Sequence, residues 1–247
     1  MEEFKDQVVV VTGGSRGMGK EIVLAFAERG AHVVIASRKI EACEMLAEEV
    51  RSRFGVRALP VACNVSDWDQ CGELVDAAYA EFGQVHVLVN NAGLSPHYPS
   101  LVDVTEPLFD KTIAVNLRGP FRLAALVGQK MVESGGGSIV NIGSVEAIRP
   151  SHMALPYAAA KAGLHILTEG FAQAYAPTVR VNTIQPGPFL TDIADNWAEG
   201  AREELEAVVA LGRCAEPAEV VGAVLFFSGS ASSYSTGALL RVDGGWR

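Results

Sequence analysis

Three side chains near the middle of the sequence have the types and spacing for proton transfer. Ser144 is followed, after twelve intervening residues, by Tyr157, and Lys161 lies four further on. On a helix, residues four apart share a face. A phenol titrates near ~10 in water, too high for efficient acid–base work at neutral pH, and an adjacent ammonium lowers that value by favouring the phenolate. Lys161 is expected to do this for Tyr157. Tyr157 would then give a proton to a carbonyl oxygen as hydride arrives at its carbon, or take one from an alcohol in the reverse direction. Ser144 would hydrogen-bond the same oxygen. Singly, the three read as a core aromatic, a solvated helix charge and a turn residue at a strand end; their joint spacing, together with a glycine turn near the N-terminus, is what links them.

That turn reads Thr12-Gly13-Gly14-Ser15-Arg16-Gly17-Met18-Gly19 and sits between a buried strand and a helix. Glycines there let backbone N–H groups approach a pyrophosphate at the positive end of the helix. The spacing T-G-x-x-x-G-x-G differs from the common G-x-G-x-x-G fingerprint. At the end of the second strand, where an NAD site usually presents an acid to the ribose, the chain has Ser37 and Arg38. A carboxylate would repel a 2′-phosphate, whereas Ser37 can hydrogen-bond to it and Arg38 can pair with it, with Arg16 approaching from the turn. The preferred cofactor is therefore NADP(H); if both arginines are merely solvated charges, NAD(H) can serve.

The elements that must position these groups alternate along the chain. Strands are predicted over 8–12, 32–36, 57–62, 85–90, 137–142, 179–184 and 238–242. Helices are predicted over 17–29, 40–54, 67–82, 106–133, 157–175 and 217–227, the third announced by the capping residues Ser66 and Asp67. Several strands are nearly all Val, Ile, Leu and Ala, the pattern of strands buried on both faces. The expected fold is α/β: a single doubly wound Rossmann-type domain over residues 1–247, with a seven-stranded parallel sheet and helices on both faces. A loop from Gly187 to about Gly200 falls where an active-site flap would lie.

Apolar residues make up 49% of the sequence and charged residues 20%, enough for a large core and unlike a disordered chain. A formal charge of −9 and the lack of a basic run argue against a nucleic-acid partner. No stretch approaches the ~20 apolar residues of a membrane span, and the start Met1-Glu2-Glu3 does not read as a leader, so a cytoplasmic protein is expected. Cys43, Cys63, Cys71 and Cys214 form no CxxC pair and read as free buried thiols, and no metal site is expected.

Taken together, these landmarks resemble the short-chain dehydrogenase/reductase family along essentially the whole chain: TGGSRGMG at 12–19, NNAG at 90–93, Asn116, Ser144, YAAAK at 157–161, Pro186-Gly187 and VDGG at 242–245. The resemblance implies that Asn116 kinks its helix and holds a water in a proton relay from Lys161. It places Gly13, Ser15, Arg16, Gly17, Met18, Gly19, Asn64, Val65, Asn90, Ala92, Gly93, Tyr157, Lys161, Pro186, Gly187 and Thr191 along the cofactor, with Asn64-Val65 near the adenine and Thr191 at the nicotinamide carboxamide. Many relatives have Asp where this chain has Asn64, whose carbonyl oxygen can still accept from an adenine amino group. The join Ala176-Pro177-Thr178-Val179 is shorter than usual. Relatives are commonly tetramers, so a homotetramer is expected.

The substrate would be a small carbonyl or secondary alcohol. Ser95, His97, Val145, Glu146, Pro188, Phe189 and Trp197 are candidates for its pocket; Glu146 reads equally as a contact for a hydroxylated substrate or as an exposed turn carboxylate, and His97 as a loop residue. The family's 3-oxoacyl-thioester reductases and its sugar or polyol dehydrogenases are both open. So are an NAD-dependent sugar or polyol dehydrogenase and, as another class, a catalytically idle nucleotide-binding scaffold.

Overall fold

The computed structural model describes residues 3–191, 194 and 200–246. Seven strands form one parallel sheet: β1 (Val8–Thr12), β2 (His32–Ser37), β3 (Ala58–Ala62), β4 (Val87–Asn90), β5 (Gly137–Ile142), β6 (Val179–Pro186) and β7 (Leu239–Val242), in the spatial order β3-β2-β1-β4-β5-β6-β7. The strand order reverses between β1 and β4, and their paired carboxyl ends open the crevice where an open α/β sheet binds its ligand.

The all-apolar strands have the physical cause expected of them. Along β1, Val9 and Val11 enter a core with Ile22, Phe26 and Phe227, while Val8 and Val10 enter a second core with Leu74, Leu123 and Ile139. Successive side chains of a strand point to opposite faces, so a sheet covered on both sides needs hydrophobes at every position. The first core carries α1 (Gly17–Glu28), α2 (Ile40–Phe54) and α8 (Val221–Ser228). The second carries α3 (Trp68–Phe82), α5 (Gly119–Ser134) and α6 (Leu155–Tyr175). Asp67 caps α3 by accepting from the N–H groups of Asp69 and Gln70, as its position predicts.

Three departures from the sequence reading concern helices. The segment read as one helix over 106–133 is α4 (Glu106–Ile113), a turn of wider π-type winding over Ala114–Arg118, and α5. A π-type turn changes the hydrogen-bond ladder without changing the apolar spacing much, so periodicity passes through it. The helix read over 217–227 begins as a tight 3₁₀ turn, Pro217–Val220, and continues as α8. A short charged helix, α7 (Ala201–Val208), was not foreseen; it buries no residue and has no side-chain cap. The four cysteines are buried and free, as expected. No helix among the described residues is long and apolar enough to cross a membrane, and those residues contain no cluster suited to a metal ion.

Candidate active site

The crevice is built from the turns after β1 and β4, which are bonded to each other. Thr12 Oγ1 accepts from the N–H groups of Asn91 and Ala92, both at 3.1 Å, and Asn91 Nδ2 donates to the carbonyls of Thr12 (2.9 Å) and Gly13 (3.2 Å). Gly13 has a φ of +62°, a conformation that L side chains rarely adopt, and a Cβ at Gly19 would overlap the Gly13 carbonyl oxygen. The turn is thus a bare backbone cradle at the N-terminus of α1, suited to a pyrophosphate. Asn90 is fully buried, and its Oδ1 has no protein partner among the described residues. Thr191 faces the cradle from the other side, close enough that a Cβ on Gly17 would meet its methyl group at 3.6 Å.

At the end of β2, Ser15 Oγ donates to Ser37 Oγ (2.9 Å) and the Cys43 thiol donates to the same oxygen (3.2 Å). Arg16 and Arg38 are both exposed at this corner, and neither Ser37 nor its neighbour Arg38 is an acid. Val65 is buried against Gly119, whose missing side chain makes room for its carbonyl. Asn64 differs from expectation: its Oδ1 already accepts from the N–H (3.3 Å) and hydroxyl (2.9 Å) of Ser66, so the lone pairs foreseen for an adenine amino group are engaged in holding the turn into α3.

Ser144, Tyr157 and Lys161 come together at the carboxyl end of β5. Lys161 is buried, donates from Nζ to the Ile142 carbonyl (2.7 Å), and has Nζ 5.7 Å from the centre of the Tyr157 ring. Burial pushes Lys161 down to about 8. Tyr157 moves opposite to the sequence expectation: burial pushes it up to about 12, Ser144 pulls it down by hydrogen bonding, and the charge of Glu146 pushes it up. Desolvation is the largest effect on the phenol, and the Lys161 ammonium is engaged with a backbone carbonyl. A phenol held protonated at neutral pH is a proton donor, suited to carbonyl reduction.

Asn116 is fully buried in the π-type turn. Its Nδ2 donates to the carbonyls of Leu94 (2.7 Å) and Thr112 (2.9 Å), and its Oδ1 accepts from the Leu94 N–H (3.2 Å). It clamps the segment after Gly93, beside which Lys161 Nζ also lies, 3.8 Å from where a Gly93 Cβ would be. Pro186 and Gly187 are fixed to the last strand by the Gly187 N–H, which donates to the Val242 carbonyl (3.0 Å).

Beneath the site runs a chain of buried polar groups that the sequence reading did not find. Asn90 Nδ2 donates to Asn141 Oδ1 (2.9 Å), Asn141 Nδ2 to Thr168 Oγ1 (2.9 Å), and Thr168 and Thr183 hydroxyls meet at 2.7 Å. Buried polar chains of this kind fix a single arrangement. His165, one turn beyond Lys161, is buried against Gly143 and near Gln185 Nε2 (3.3 Å), and is pushed down to about 4 by burial and the Lys161 charge. Between pH ~6.5 and about 4 the unfolded chain binds a proton at this residue that the folded chain does not, so stability falls as the pH falls through that window. Thermal melts from pH 7 to pH 4 should show a steeper acid-side loss for the wild type than for His165→Gln; equal slopes would contradict the assignment. Half-buried His86, also shifted down, remains in both proteins.

Of the substrate candidates, Val145, Pro188 and Phe189 are buried and Ser95 and Glu146 are half-buried, whereas His97 is exposed. Trp197 lies outside the described residues. Asn91 was missed as a positioning residue although NNAG was recognised; the doubled asparagine was the available signal.

An all-parallel sheet whose switch-point crevice opens onto a serine, a tyrosine and a lysine defines a Rossmann-type oxidoreductase domain. Comparison with known proteins agrees: a family model described as Enoyl-(Acyl carrier protein) reductase matches residues 13–247. The chain is 36% identical to a 3-oxoacyl-[acyl-carrier-protein] reductase of Thermotoga maritima over 98% of each protein. It is 38% identical to an L-rhamnose 1-dehydrogenase (NAD(P)(+)) of Azotobacter vinelandii over 97% of this chain and 96% of that one. An L-sorbose reductase from Gluconobacter frateurii, solved with NADPH and L-sorbose, superposes with a TM-score of 0.92 at 27% identity, over 100% of this chain and 98% of the other. The chain belongs to the short-chain dehydrogenase/reductase family, and it is an oxidoreductase of alcohol and carbonyl groups that works with NAD(P).

Proposed function

We propose that the chain is an NADP(H)-dependent carbonyl reductase and secondary-alcohol dehydrogenase in which Tyr157 is the general acid and base. The observation that carries this reading is the meeting of Ser144, Tyr157 and buried Lys161 beside the crevice between β1 and β4. The bound cofactor supplies or accepts the hydride. Ser144 and Tyr157 hold the substrate oxygen, and Tyr157 transfers the proton at that oxygen. Lys161, ammonium below about 8, supplies the positive charge that favours a transient phenolate. Asn116 is a positioning residue that fixes the strand-end segment against which Lys161 lies.

The preference for NADP(H) is supported by the corner at Ser37. Its oxygen accepts from both Ser15 and Cys43, and its own proton makes only a long bond to the Lys39 carbonyl (3.5 Å), so it can turn to a phosphate oxygen, with Arg38 and Arg16 as the positive groups nearby. The L-rhamnose 1-dehydrogenase relative carries both cofactors in its name, and the L-sorbose reductase was solved with NADPH. The wild type should show kcat/KM for NADPH at least about tenfold above that for NADH, the worth of one charge-assisted hydrogen bond. Ser37→Asp combined with Arg38→Ala should reverse the order by repelling the 2′-phosphate and offering a carboxylate to the ribose hydroxyls. Steady-state kinetics with both cofactors decide it, and equal efficiencies in the wild type would refute the preference. A cytoplasmic homotetramer completes this reading, the assembly being testable by light scattering.

A further inference from the structure

Glu146 lies two residues beyond Ser144, in the short turn Val145–Ala147. Its N–H donates to Ser144 Oγ (3.1 Å), so the residue is attached directly to the hydroxyl that binds the substrate oxygen. Its Oε2 accepts from the Ser151 N–H (2.7 Å), which closes the loop 146–151. Its Oε1 has no protein partner among the described residues, and no cation among them pairs with the carboxylate. The residue is half-buried, and burial pushes its pKa up; its charge is felt at Tyr157.

A carboxylate drawn partly out of water without a counter-charge is unfavourable, and one backbone amide does not offset it. A turn needs only a neutral acceptor to close on Ser151. The remaining oxygen is an acceptor on a side chain whose backbone is bonded to Ser144 and whose charge reaches Tyr157, and it rewards a ligand that carries a hydrogen-bond donor close to its reacting carbon. A 3-oxoacyl thioester offers the opposite, a second carbonyl oxygen, which a carboxylate repels.

Resting on the carbonyl–alcohol reading above, we propose that Glu146 determines substrate specificity: its free oxygen accepts from a hydroxyl on the carbon next to the reacting one. The substrate class is then α-hydroxy ketones and vicinal diols, which includes ketoses and polyols. Selectivity of this kind is strong because an analogue without the hydroxyl leaves the acceptor unpaired.

The test uses matched ketones, acetoin and butan-2-one, which differ by the one hydroxyl, with the full chain and NADPH. The wild type is expected to reduce acetoin with kcat/KM about tenfold or more above butan-2-one, the effect of one hydrogen bond to a charged group. Glu146→Gln keeps an acceptor for Ser151, so it should narrow that ratio about tenfold; the ratio is the readout, because losing the Glu146 charge at Tyr157 acts on both ketones alike and cancels in it. The same comparison by calorimetry, with butane-2,3-diol and butan-2-ol titrated into Tyr157→Phe, should show the diol's tighter binding lost on adding Glu146→Gln. An unchanged ratio overturns the inference. So does an equal fall with both ketones, which would make Glu146 a brace of the loop only. Preference for an amino ketone over acetoin would reassign the donor to an ammonium and overturn the hydroxyl class. If the wild type reduces neither ketone and Tyr157→Phe behaves identically on an active substrate, the underlying reading fails and takes this one with it.

Discussion

Tyr157→Phe should lower kcat by about a hundred- to ten-thousandfold, the usual worth of a positioned general acid. The ring stays, so the packing of α6 against the sheet is kept, and the bond from Lys161 to the Ile142 carbonyl does not involve the phenol. Only the hydroxyl is removed, and with it the proton that the proposed mechanism delivers to the substrate oxygen. Nucleotide binding, followed by fluorescence titration, should be unchanged, because the cradle after β1 and the Ser37 corner are built by other residues. Stability should change by no more than about 1 kcal/mol, since the hydroxyl is costly to bury and the substitution is otherwise isosteric. Turnover near the wild-type rate would remove Tyr157 from its role.

The second large effect is structural in origin and reads out in binding. Gly19→Ala places a methyl group on the Gly13 carbonyl oxygen and within 2.6 Å of Asn91 Nδ2. Neither can yield: the carbonyl belongs to the cradle, and the asparagine amide makes two of the bonds that tie the β1 and β4 turns together. Overpacking of this kind costs about 1–3 kcal/mol, and here the strain falls on the groups that would face the pyrophosphate. Loss of nucleotide affinity by about tenfold or more, together with a lower melting temperature, is the expected outcome. Gly170→Ala is the control. A Cβ there meets nothing, the position is an exposed one inside α6, and the substitution should stabilise by about 0.5–1 kcal/mol with no change in binding. If the two substitutions behave alike, the crowding at Gly19 is not what shapes the cradle.

How much of this was legible in the sequence depends on how far apart the interacting residues lie. The sheet was readable because Val8–Thr12 and its counterparts are apolar at every position, a pattern that only strands covered on both faces require. The glycine turn and the Tyr157–Lys161 pair were readable because each is contiguous or one helical turn long. Asn90 and Asn141 meet across 51 residues of sequence, and nothing near either one signals the other. The rise at Tyr157 was misjudged for a related reason: the spacing of Lys161 is local information, but burial of the phenol is produced by the whole fold, and burial is the larger effect. The π-type turn at Ala114–Arg118 did not show in the periodicity, because an inserted residue in a ladder leaves the apolar stripe nearly intact; only the family resemblance, which implied a kink at Asn116, pointed to it. Glu146 was left even between two uses, and its one bonded oxygen, which closes the turn, and one unbonded oxygen, on which the proposal above rests, keep a place for each.

The amide-and-hydroxyl line from Asn90 through Asn141 and Thr168 to Thr183 has a consequence for how such a protein can diversify. It rivets the end of β4 to the helix that bears Tyr157, so neither can drift without unseating the other. Variation is then expected at the rim, above all in the segment 145–151 that follows Ser144. Grafting a different rim onto an untouched chassis should change what is chosen while preserving how it is transformed.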